Sequence, residues 1–216
     1  MARTLDLYQL MSQPESFRDH DWEKAFLQAF TEANVQVVSE GAKNGPDGWP
    51  YLLVKTSVDG KEPVAKVIGW LSERGIGLAV NSHKMMPDYI FSYGMLWNFR
   101  ERGQFQTPSD HKDGEQVVYD KGEKWIFGPP TESYLPLYVR QILREFFAAQ
   151  KINEPKLLVA SSSDFTKIDL LLSLDSIGNP PAGDHRKIAE AVGWFLPTHY
   201  SLVLAQEEGM PKFHLI

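Results

Sequence analysis

Three consecutive serines, Ser161, Ser162 and Ser163, stand immediately before Asp164, with His185 and His199 further along the chain. Serine, histidine and aspartate are the parts of an acyl-transfer site, in which the imidazole takes the serine proton and the carboxylate orients the imidazole. The G-x-S-x-G pattern that holds such a serine between a strand and a helix is absent. The serine run is therefore expected to be a turn at a strand end, and no catalytic residue is assigned. Asp164, His185 and Tyr200 are candidates for a small-molecule or enzyme pocket between two modules, a function that requires their polar groups to converge.

Carboxylates flank histidines in "DHD" (19–21) and in "DHKD" (110–113). Neighbouring residues on an exposed segment rarely converge on one ion, and no H-E-x-x-H or third ligand at a telling spacing accompanies them. No metal is expected, and Asp19 or Asp21 has a sufficient role as a helix cap. Gly75 and Gly77 follow a helical pattern and open a strand, the reverse of a phosphate-binding glycine loop, and the third glycine is missing. With no P-loop either, no cofactor is expected. Two polar loops remain: "GPDGWP" (45–50), which presents Trp49, and "NSHKMMPD" (81–88), which carries His83 and two methionines. Loops of this kind are where scaffolds place function.

The elements that must position these residues follow from periodicity. Of 216 residues, 43% are hydrophobic and 23% charged, enough for one large domain or two small ones. The net charge is −6 with no dense basic run, which argues against nucleic acid or an anionic membrane as main partner. There is no cysteine, so disulfides, thiolate zinc sites and thiol nucleophiles are excluded. With no signal-like N-terminus and no long apolar run, the expected location is the cytoplasm.

Trp22, Phe26, Ala29, Phe30 and Ala33 fall on one face of a helix. A short strand (35–39), a Gly/Pro turn, a strand (50–58), a helix with Val64, Val67, Ile68 and Leu71 on one side, and a strand (76–81) follow. The second half repeats the order. Leu135, Val139, Ile142, Leu143 and Phe146 mark a helix, "PKLLVASSS" and "KIDLLLSL" two strands, Ile188, Ala191, Val192 and Phe195 a helix, and "YSLVLAQ" a closing strand. The expected fold is α+β: two related α-β-β-α-β modules, each a small, mainly antiparallel sheet covered by helices. A β-hairpin around Asp120, Lys121 and Gly122 lies between them, and the boundary is set at Gly128, giving 1–128 and 129–216.

The stretch "MPDYIFSYGMLWNFRERGQF" (86–105) is dense in aromatics. Gly94 argues against a helix interior, and a strand would point Phe91, Tyr93, Met95, Trp97 and Phe99 the same way; a helix is the second reading, because Ile90, Tyr93, Trp97 and Arg100 or Glu101 make no clean apolar stripe. That face either packs under the first module's helices or forms an exposed groove or dimer seam, since interface cores collect Tyr, Trp, Phe and Met. In the second case Phe91, Tyr93, Trp97 and Phe99, with His83 and Trp49, are the partner-binding residues, for a protein partner or a second copy.

The segment "GPPTESYLPLYVRQILREFFAAQKINEPKLLVASSS", followed by "KIDLLLSLDS" and "GDHRKIAEAVGWFLPTHYSLVLAQ", resembles the C-terminal part of the SseB family, bacterial proteins named for enhanced serine sensitivity. "EPVAKVIGWLSERGIGLAVN" is similar to the family's N-terminal part. The resemblance implies a two-part α+β protein with no established catalytic residues, so it carries no site to this chain. It agrees with a non-enzymatic protein-interaction or regulatory role.

Overall fold

Two aspartates open the first two helices. Asp6 accepts the backbone N–H of Gln9, whose side chain reciprocates, at the start of α1 (Leu7–Met11). After a 3-10 turn (Glu15–Phe17), the Asp19 carboxylate accepts the Trp22 N–H at 2.9 Å and caps α2 (His20–Thr31). The computed structural model describes residues 6–84, 86–108, 119 and 124–216, in two units, Met1–Phe105 and Gln106–Ile216.

In the first unit, α2 leads into β1 (Asn34–Val37), β2 (Lys43–Asn44), β3 (Pro50–Thr56) and β4 (Glu62–Pro63). Then come α3 (Val64–Ser72), β5 (Gly77–Val80), β6 (Tyr89–Phe91) and α4 (Tyr93–Arg102). The strand order is β4-β1-β3-β5-β6, with β2 also on β3; only the β3–β5 pair is parallel. Alternation places Val35, Leu52, Val54, Leu78, Val80 and Phe91 in one core with Trp22, Phe26 and Phe30 of α2 and the four predicted apolar residues of α3. Gly77 has no room for a side chain: a Cβ there would lie 2.7 Å from the Tyr51 ring and 2.8 Å from the Phe91 carbonyl oxygen. Gly77→Ala is expected to lower stability by about 1–3 kcal/mol, the usual cost of overpacking, read from the midpoint of urea unfolding.

In the second unit, β7 (Trp125–Gly128) precedes α5 (Leu137–Ala149), β8 (Lys156–Ser162), β9 (Ile168–Ser173), α6 (Ala182–Gly193), β10 (Ser201–Ala205) and β11 (His214–Leu215). The strand order is β10-β9-β8-β11, with β7 also on β8; only β9–β10 is parallel. One face of this sheet gathers Leu158, Ala160 and Leu171 with Trp125, Phe127 and Phe213. Buried Asp169 lies on that face and accepts the Tyr119 hydroxyl at 3.1 Å; burial and then the Asp169 charge push the phenol well above its ordinary value.

Both units therefore contain α-β-β-α-β, as α2-β1-β3-α3-β5 and α5-β8-β9-α6-β10. In each, the middle strand is antiparallel to the first and parallel to the third. The fold is α+β with two mainly antiparallel, mixed sheets.

Two expectations differ from the structure, and a third lies outside the described residues. The strand through Tyr93, Trp97 and Phe99 is instead α4, capped by Ser92 and closed by Gly103 at φ 69°. It lacks an apolar stripe because it is buried nearly all round: six consecutive residues from Tyr93 to Asn98 are buried. Burial of its flanks outweighs the helix cost of Gly94. The boundary falls at Phe105 rather than Gly128, because β7 pairs with β8 and so joins the second sheet. The hairpin turn at Asp120, Lys121 and Gly122 lies outside the described residues, as does "DHKD".

Candidate functional site

The acyl-transfer candidates do not form the expected relay: Ser162 bonds directly to Asp164, and His199 packs edge-on against Tyr200 at 4.8 Å. Ser162 Oγ donates to Asp164 at 2.6 Å, and Thr166 donates to the same carboxylate through both its hydroxyl and its N–H. These bonds close the β8–β9 turn and hold Asp164 down at about 2. Tyr200 donates to the Tyr134 carbonyl, just before β10 and at the same end of the sheet as this turn. His185 sits in the first turn of α6, its Nε2 3.0 Å from the Pro180 carbonyl oxygen, beyond the other end of β9. The six residues of β9 separate the two ends by roughly 20 Å. Asp164, His185 and Tyr200 therefore share no site. Among the described residues no group of three or more His, Asp or Glu is placed to hold a metal ion.

The aromatic stretch does not make a surface. Phe91 and Tyr93 are fully buried and Trp97 is 2% exposed. Phe91 packs on Phe30, Phe105 and Tyr89 with ring centroids 4.6–5.1 Å apart, and the Tyr93 hydroxyl donates to the Ser72 carbonyl at 2.7 Å. Phe99 is half-buried and stacks on Phe105 at 4.5 Å. Of the two readings of this stretch, core holds and the groove or seam does not: β6 and α4 bury Phe91, Tyr93 and Trp97. Trp49 is half-buried in a turn closed by Asp47 at the start of β3. His83 is exposed in the loop after β5, and since β3 and β5 are parallel these two residues lie at opposite ends of the sheet.

Among the described residues of the loop at 81–88, Asn81, Lys84 and Asp88 share one polar network. Asn81 leaves β5 with φ 55°, a left-handed conformation asparagine tolerates better than most residues. Its Oδ1 accepts the Thr56 N–H at 2.9 Å and its Nδ2 donates to Asp88 at 2.8 Å. Asp88 also takes Arg18 at 2.8 Å and the Lys84 ammonium, while its own N–H donates to the Val80 carbonyl. The Asp88 side chain is 3% exposed and Arg18 is 12% exposed. Burial pushes this carboxyl up, but the bonds from Lys84, Arg18 and Asn81 outweigh it and hold the group below the ordinary value of 3.8. Arg18 further donates to the carbonyls of Gln13 and Met11 and lies 4.9 Å over the Trp22 ring. The loop is thereby fastened to the segment between α1 and α2. Between them opens a cleft of about 580 Å³ lined by Glu15, Arg18, Trp22, Met86, Asp88 and Tyr89, and Met86 is 65% exposed.

The second unit has a polar cluster at the corresponding strand ends. Ser173 closes β9; its buried hydroxyl donates to Glu207 at 2.6 Å, and Lys156 donates to the same carboxylate at 3.1 Å. The Ser173 hydroxyl and then Lys156 hold Glu207 below its ordinary value. Asp175 accepts the Glu207 N–H at 2.7 Å. A shallow cleft of about 520 Å³ lies beside it, lined by Lys156, Glu207, Lys212 and His214 among others. Both clusters sit beyond the carboxyl ends of a parallel strand pair, where open sheets place ligand sites.

No family model, curated protein or solved structure matches the chain. The two strand-end clusters and the surface around them are the chain's candidate functional features. Sequence reasoning found the 81–88 loop and His83 within it, but missed the Arg18–Asp88 pair. Partners 70 positions apart leave no local signal; the nearest hint is the spacing of Lys84 and Asp88.

Proposed function

We propose that the chain is a non-enzymatic, cytoplasmic protein-interaction or regulatory protein, SseB-like in its order of elements, that meets its partner through the 81–88 loop. The observation that carries this reading is the pairing of a firmly hydrogen-bonded loop base with an exposed thioether. Asp88, Asn81 and Arg18 organise the loop, and Met86 stands 65% exposed beside an open cleft. Methionine is enriched in interface cores and adapts its shape to a partner, and a preorganised loop loses little entropy on binding. No helix among the described residues is long and apolar enough to cross a membrane.

The test is capture from native lysate by the full chain beside Met86→Glu, both checked for folding by circular dichroism. A protein retained stoichiometrically by the wild type and reduced at least ~10-fold by Met86→Glu supports the reading, since buried interface positions carry about 1.4 kcal/mol or more. Equal retention by both chains, or no retained protein, speaks against it. Small-molecule binding is the second reading, resting on the second unit's cleft, where Lys156, Lys212 and His214 stand with Glu154 and Glu207. A shift in melting temperature with small carboxylates or phosphates, lost in Lys156→Met, would support it.

A further inference from the structure

The third strand of each α-β-β-α-β unit has a different outer neighbour. In the first unit β5 is covered on its outer edge by the antiparallel β6, with Leu78 facing Phe91 and Val80 facing Tyr89. In the second unit β10 ends the sheet, and among the described residues no strand pairs with its outer edge. The direction of its backbone groups follows from one bond. The Ala205 carbonyl accepts the Leu174 N–H, so Ala205 faces β9. In an extended strand the backbone groups of alternate residues turn to opposite sides. Ser201 and Val203 therefore also face β9, while Leu202 and Leu204 present their N–H and C=O groups outward.

We propose that β10 pairs with β10 of a second copy of this chain, antiparallel, about a two-fold axis at Val203. The strand reads Ser-Leu-Val-Leu-Ala, nearly the same in both directions. A two-fold axis at Val203 sets Leu202 opposite Leu204 of the second copy twice and Ser201 opposite Ala205 twice. The two leucine pairs are the ones with outward backbone groups, so they form four N–H···O=C bonds. Val203 meets its own copy in the intervening non-hydrogen-bonded position, as antiparallel geometry requires. Charge permits this edge to meet itself: the chain carries −6, yet Ser201 to Ala205 hold no ionisable group. The strand also lacks the edge defences that proteins use against pairing, namely Lys, Pro, a bulge or extreme shortness. By contrast β4 and β11 have two residues each, with Pro63 in β4, and β6 has three. A contact built on one strand pair lies at the weak end of interfaces, so the dimer forms in proportion to concentration.

Because the full chain has no cysteine, Val203→Cys introduces a single thiol at the axis. Non-hydrogen-bonded antiparallel partners lie ~4.5 Å apart at Cα, within reach of a disulfide. Under mild oxidation Val203→Cys is expected to form covalent dimer at least ~10-fold faster than Val58→Cys, since pairing raises the effective concentration. Val58 is 81% exposed and serves as the control for random encounter. Equal rates overturn the proposal. In a second test, Val203→Lys and Val203→Glu are run separately and mixed in sedimentation velocity at ~100 µM, where weak interfaces populate. The proposal expects the wild type to show dimer, each folded variant to be monomeric through like-charge repulsion, and the mixture to regain dimer. A wild type monomeric throughout, or a Val203→Lys chain that still dimerises, overturns it.

Discussion

Phe91→Ala is expected to cost the first unit about 3–5 kcal/mol, the usual range for removing a buried aromatic ring. Phe91 is fully buried on β6 opposite Leu78, and its ring meets Phe30 at 5.1 Å, Phe105 at 4.6 Å, Tyr89 at 4.7 Å and Phe26 at 6.2 Å. Truncation strips contact from all four rings at once. Two features keep the site from collapsing around the void. The Phe91 carbonyl oxygen lies 2.8 Å from the Cβ position of Gly77, so the backbone is already seated against β5. Phe26 and Phe30 are held by α2 through the Asp19 cap and the Trp22–Leu10 bond. The cost therefore falls at the cavity end of the range. Urea unfolding of the full chain, followed by far-ultraviolet circular dichroism, measures it. Met86→Ala is the matched control on the same short segment; its side chain is 65% exposed and should change stability by under ~0.5 kcal/mol. If Phe91→Ala behaves like Met86→Ala, the ring is not in the core and the placement of β6 against α2 is wrong.

The same residue shows what the sequence made legible. Val64, Val67, Ile68 and Leu71 stand at i, i+3, i+4 and i+7, so their spacing reveals both a helix and its buried side; all four are buried in α3. The strands of each module follow from apolar runs between turns and helices, but the runs do not say that the third strand pairs parallel. α4 could not be read in this way. Periodicity detects a boundary between wet and dry faces, and a helix with six consecutive buried residues has almost none within that run. The two-residue strands β2, β4 and β11 are too short to show alternation. The candidate site was half visible. The 81–88 loop is marked by its polar residues after an apolar strand, but nothing near Arg18 announces that it closes on Asp88. Likewise, Glu207 and Ser173 meet because β9 and β10 run parallel, a fact of register rather than of local pattern.

Asp88 gives the second large effect, and pH resolves it. At neutral pH Asp88→Ala removes the carboxylate that pairs with the 12%-exposed Arg18 guanidinium and accepts from Asn81; Arg18 keeps its bonds to the Gln13 and Met11 carbonyls and Asn81 its bond to Thr56, so the loss falls at the low end of broken buried pairs, about 3 kcal/mol. Asp88→Asn keeps the shape and mimics the protonated acid, so it isolates the charge. The folded carboxyl titrates below 3.8 because the bonds from Lys84, Arg18 and Asn81 outweigh the upward push of burial. On acidification the unfolded chain thus takes up this proton first. The stability that the charge supplies is complete above about 3.8 and is lost as pH falls through the folded value. Wild type and Asp88→Asn should differ by a constant amount from neutral pH down to about 4, then converge below it. Other carboxylates that titrate in this range, Asp164 among them, do so in both chains and cancel. Salt separates this pair from surface ones: with Asp88 at 3% exposure the difference should barely change on adding salt. The Arg186–Glu190 pair, 89% and 62% exposed, should contribute nothing measurable under the same conditions. Curves that run parallel through the acid range would show that Asp88 titrates alike in the folded and the unfolded chain, so that its charge does not fasten the loop to Arg18.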